Sequence, residues 1–77
     1  MENKGYAYQV QLVCEHMVIS TLVITDIEPD SEEGRYEDET RDETIVREAC
    51  AKIDEEYGID PYYWLIYTNI EHEGTLQ

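Results

Sequence analysis

Residues 6–14 read YAYQVQLVC. Tyr6, Tyr8, Val10, Leu12 and Cys14 share one parity, and Ala7, Gln9, Gln11 and Val13 share the other. Alternation with a period of two is what a strand with one buried face requires, because successive side chains point to opposite sides of a sheet. Such a strand needs a partner, and residues 17–27, MVISTLVITDI, supply one through their β-branched content. Glu15 and His16 fall in the short connection, which lacks the Asn-Gly or Asp-Gly pair of a tight hairpin.

Beyond this pair, Pro29, a run of acids and Gly34 interrupt regular pairing. Thr40 followed by Glu43 has the spacing of a capping box and places a helix start there. Ile45, Val46, Ala49, Cys50, Ile53 and Tyr57 recur at three- and four-residue spacings, so they line one helical face. Gly58 is a natural terminator and Pro61 forbids continuation. On the solvent side, Glu43 with Arg47 and Glu48 with Lys52 are i, i+4 pairs in the favourable order.

Past Pro61, residues 62–70, YYWLIYTNI, predict a third strand. Trp64, Ile66 and Ile70 would share one face and Tyr63, Leu65 and Tyr67 the other, with the tail EHEGTLQ frayed. Tyr6, Tyr8, Tyr57 and Trp64 are assigned to the core. The order is β-β-α-β. A helix returning along the sheet lets the third strand lie antiparallel beside the first, so the expected architecture is α+β. It comprises a three-stranded antiparallel sheet in the order 2-1-3, with one helix packed on one face.

The 77 residues suffice for one domain, 1–77, in which roughly 60% of the unfolded surface can be buried. Hydrophobic residues make up 42% of the chain, enough for a core despite 19 acidic against 5 basic residues. Two cysteines at apolar positions read as reduced, buried thiols, and no disulfide framework is expected. The N-terminal MENKGYAY does not resemble an export signal and no apolar run approaches ~18 residues, so a cytoplasmic location is expected. A net charge of −14 repels nucleic acid and anionic lipid alike. The expectation is therefore no direct nucleic acid, no membrane, and a basic partner.

Residues 26–43 concentrate this charge: DIEPDSEEGRYEDETRDE carries ten acids against Arg35 and Arg41. Its core, residues 26–40, is read as an acidic loop between the second strand and the helix. Asp26, Glu28, Asp30, Glu32 and Glu37 mimic the ligand spacing of an EF-hand, but Ser31 stands where such a loop needs Gly. Pro29 interrupts it, and a strand precedes it. Cys14, His16, Cys50 and His72 follow no zinc-ligand spacing. A reactive thiolate needs an electropositive setting that this chain lacks, and exposed acids have no burial to push their pKa values apart. No enzyme activity, cofactor or specific metal is expected.

In an extended backbone Asp26, Glu28, Asp30 and Glu32 would project from one side at roughly 6.6 Å intervals, a plausible imitation of a phosphate ridge. Glu33, Glu37, Asp38 and Glu39 would extend the surface, with Tyr36 as its aromatic anchor. The segment resembles those of small acidic phage-encoded inhibitors, among them anti-CRISPR proteins and other DNA mimics. The resemblance rests on DIEPDSEEGRYEDETRDE, small size and charge rather than a family-defining motif. It implies an inhibitor in the host-cell cytoplasm that occupies a Lys/Arg-lined groove of a nucleic-acid-binding protein, such as a CRISPR effector. Two alternatives stand beside it. One is an assembly module, such as a homodimer, pairing through Tyr63, Leu65 and Tyr67 or a strand edge. The other is a divalent-cation-binding protein.

Overall fold

The structure, a computed structural model, describes residues 5–76. Strands β1 (Gly5–Cys14) and β2 (Val18–Thr25) precede helix α1 (Arg41–Tyr57), a short 3-10 helix (Pro61–Trp64) and strand β3 (Leu65–Leu76). The sheet is antiparallel in the order β2-β1-β3, with α1 across one face, so the α+β arrangement expected from the sequence is the one observed.

Strand β1 occupies the centre because its even-numbered face is apolar. Tyr8, Val10, Leu12 and Cys14 are buried with Val23 of β2 and with Ile45, Ala49, Cys50 and Ile53 of α1. Each fully buried side chain of the Val, Leu or Ile class contributes about 1.5–3 kcal/mol. The register pairs Tyr8 with Val23, Val10 with Thr21 and Leu12 with Ile19, which brings the matching parity of β2 under the helix. Met17 belongs to the connection, where its carbonyl accepts from Cys14 N–H at 2.8 Å.

The capping box forms as spaced. Glu43 N–H donates to Thr40 Oγ1 at 3.2 Å, and Thr40 N–H donates to Glu43 Oε1 at 2.9 Å. Gly58 ends α1 in the left-handed region at φ 72°, its N–H reaching Asp54 O at 2.7 Å. Thr44 joins the buried face, but Tyr57 is 68% exposed, because the core closes at Ile53 and the last turn continues into solvent. Neither expected i, i+4 pair forms. Arg47 turns back to Glu39, and Lys52 Nζ donates to Leu22 O of β2 at 2.7 Å.

The third strand departs most from the sequence reading. Pro61 fixes its own φ, and the Asp60 carboxylate accepts from Tyr62 N–H at 3.0 Å, so residues 61–64 wind into a 3-10 helix. Trp64 lies there half exposed rather than in the core. The strand then runs as far as Leu76 in the tail expected to fray, Gln77 lying outside the described residues: Gly74 pairs with Ala7, Thr75 with Tyr6 and Leu76 with Gly5. An irregularity where Cys14 pairs with Leu65 but Val13 with Tyr67 inserts one extra residue and inverts the parity. Leu65 and Ile70 pack against the core, while Ile66 and Tyr67 are exposed. Tyr63, Leu65 and Tyr67 therefore do not share a face.

Candidate functional site

The acidic loop is folded back on itself. Ser31 N–H donates to Glu28 O at 3.0 Å, closing a β-turn with Pro29 at its second position. The expected extended row of Asp26, Glu28, Asp30 and Glu32 is thus broken in the middle. Proline's φ suits a turn as well as a strand, and the Arg41 guanidinium, donating to Pro29 O, draws the turn toward the helix start.

A second lobe follows, closed by an isolated bridge between Glu33 and Thr40. Gly34 N–H donates to Glu39 O at 2.7 Å, Glu39 N–H to Tyr36 O at 3.0 Å, and Arg41 N–H to Glu32 O at 3.2 Å. Arg35 N–H reaches Thr44 Oγ1 at 2.9 Å. Gly34 permits this closeness. A Cβ on it would lie 2.2 Å from Thr44 Oγ1 and 2.4 Å from Thr40 O, so only glycine fits against the first turn of α1.

Three arginines sort the carboxylates into two classes. Arg35 Nη2 donates to Asp26 Oδ1 at 2.9 Å and to Thr25 Oγ1 at 3.2 Å, and lies 3.7 Å from Glu48. Its hydrogen bond and charge hold the Asp26 carboxyl below its usual range. Arg47 grips Glu39 with two donors at 2.9 and 3.2 Å, and hydrogen bonds from Arg47 and Thr44 lower the Glu39 pKa. The same guanidinium sits 4.9 Å from the centre of the Tyr36 ring, a cation–π contact. Arg41 pairs with Asp42 at 2.9 Å.

Asp26 and Glu39, both expected in the binding surface, are therefore spent on holding the loop. Glu28, Asp30, Glu32, Glu33, Glu37 and Asp38 are exposed and have no cationic partner among the described residues. Tyr36 stands beside them, also exposed. Gly34, Arg35, Thr44 and Arg47, which shape this surface, were not among the expected site residues. The signal the sequence does carry is three arginines within and just after an acidic run, Arg35, Arg41 and Arg47, each of which must choose a partner.

Elsewhere the chemistry is quiet. Cys14 and Cys50 are buried free thiols, and burial pushes the Cys50 thiol up to about 11. Among the described residues no three His, Cys, Asp or Glu side chains converge to hold a metal ion, and no helix is long and apolar enough to cross a membrane. The open sheet face is polar at its centre, where Asn69 Nδ2 donates to Gln11 Oε1 at 3.0 Å. No protein-family model, curated protein or solved structure matches the chain.

Proposed function

We propose that the protein is a non-enzymatic inhibitor that binds a basic, nucleic-acid-binding surface of another protein through its acidic loop. The observation that carries this reading is the exposed, unpaired set Glu28, Asp30, Glu32, Glu33, Glu37 and Asp38 on a loop pinned to the start of α1. A pinned loop loses little conformational freedom on binding, so its charge can act on association instead of being offset by ordering. Unneutralised like charges also destabilise a small domain. A basic groove built for phosphates, such as that of a CRISPR effector, would relieve this repulsion.

The test is competition. A partner captured at low salt should be released by duplex DNA or heparin, and its affinity should fall steeply with ionic strength. Reversing Glu37 and Asp38 to Lys should weaken capture, and salt-insensitive capture would sink the reading. A second reading, an assembly module, draws on Tyr63 of the 3-10 helix and Tyr67 of β3, which are 80% and 55% exposed. In that case Tyr67→Glu would abolish assembly while loop reversals stayed silent.

A further inference from the structure

The two edges of the sheet are not alike. On β2, Lys52 of α1 donates to the Leu22 carbonyl and so occupies an edge acceptor, a common way of blocking strand addition. On β3, among the described residues, the comparable contact lies at the far end, where His72 Nε2 donates to Gly74 O at 3.0 Å. Between its two register shifts, β3 runs regularly from Tyr67 to His72 against Tyr8–Val13. Alternate backbone groups of an edge strand point away from the sheet, so this stretch presents an unpaired ladder.

Beside that edge lies a groove of about 650 Å³ between α1 and β3, which exists because the helix packs over β2 and β1 rather than over β3. Its apolar wall is made by Val46, Cys50 and Leu65. Its rim carries Asp42, Glu43, Asp54 and Asp60, and the cation among its lining residues, Arg47, is already held by Glu39. Asp54 also stands in the last turn of α1, a turn without a basic residue, where the helix dipole is itself negative.

We infer that this groove and the free edge of β3 together form a docking site for an extended basic segment of a partner protein, which adds as a fourth strand. Main-chain hydrogen bonds to β3 would supply affinity. Alternate side chains would supply selectivity, apolar ones entering between Val46 and Leu65 and Lys or Arg meeting the acidic rim. Charge selects this occupant over a second copy: two chains of −14 each would bring acidic rims together. The groove shares Glu39 and Arg47 with the base of the loop but none of the six unpaired carboxylates Glu28, Asp30, Glu32, Glu33, Glu37 and Asp38, so it is tested independently of the proposed inhibition.

The probe is a capped nine-residue peptide alternating valine with lysine, titrated into the intact protein by calorimetry and by amide NMR. Binding should be accompanied by slowed exchange of amides within Tyr67–His72. Ala51→Arg, at an exposed helical position on the groove wall, should weaken binding at least tenfold with an unchanged thermal melt. Glu37→Lys with Asp38→Lys should leave it within about twofold to threefold after allowance for the general field. N-methylation of alternate peptide nitrogens should abolish binding. Equal binding of the N-methylated peptide would reduce the effect to charge alone and overturn the proposal. So would a valine–glutamate peptide that binds as well, or concentration-dependent self-association that protects the same β3 amides without peptide.

Discussion

Gly34 is the residue on which the acidic surface turns. Any side chain there meets Thr44 Oγ1 and the Thr40 carbonyl, and the second of these belongs to the capped backbone of α1 and cannot yield cheaply. Gly34→Ala should cost about 1–3 kcal/mol, as overpacking does, which lowers Tm by about 4–8 °C per kcal/mol in a domain of this size. A thermal melt checks it. Cys50 offers a test by pH. Its thiol is raised from the ordinary 9.0 to about 11 by desolvation first, with Asp60 adding to the shift. Its contribution to stability is therefore complete below the unfolded value and is lost as pH rises from about 9 toward 11. Burial shifts Tyr8 in the same direction. The native protein should react slowly with thiol reagents at pH 8 and release both thiols only when unfolded, and its melting temperature should fall on the alkaline side. At this scale the sequence was partly legible. Gly34 could be read as a break in pairing, but its need for contact without a Cβ comes from Thr44, ten residues away on an element whose approach local pattern does not encode.

Helix α1 is well started and poorly finished. Asp42 and Glu43 complement the dipole of the first turn, whereas Asp54, Glu55 and Glu56 crowd the negative end, with no basic residue in that turn. Glu56→Lys should stabilise the protein by about 0.3–1 kcal/mol at low salt, read as a higher midpoint in urea, with the gain shrinking as salt is added. The beginning of this helix was legible because Thr40 and Glu43 satisfy each other within one turn. Its ion pairs were not, because Arg47 chooses between Glu43, four residues away, and Glu39 on a returning loop, and Glu39 offers two oxygens and a neighbouring aromatic ring. The limits of β3 failed for a related reason. Aromatic content spoke for a strand from Tyr62, but a proline followed by a capped turn dominated locally. The polar tail EHEGTLQ looked unfit for a sheet until the length of β1 gave it a partner.

For the molecule as a whole, the acids set an opposition between folding and association. Raising ionic strength from about 0.01 M to about 0.1 M shortens the screening length from about 30 Å to about 10 Å. Self-repulsion in a chain of −14 should ease and Tm should rise, while the attraction to a basic partner weakens. Opposite slopes against salt, measured on one preparation, are the expected signature. The strand order and the face covered by the helix followed from β1 and the capped helix. The groove beside β3 did not, since it depends on which two strands the helix chooses to cover. A further consequence lies in the pairing of Gly5 with Leu76, which brings the two ends of the described chain side by side as Cα partners on adjacent strands. A short linker can join them with little loop-closure cost. A circular permutant opened between Glu15 and His16 should therefore melt cooperatively. By the same geometry the domain can be spliced into a surface loop of an unrelated host, entering and leaving at one point, and because Thr25 also pairs with Tyr6 at this end the acidic loop would lie beside the junction.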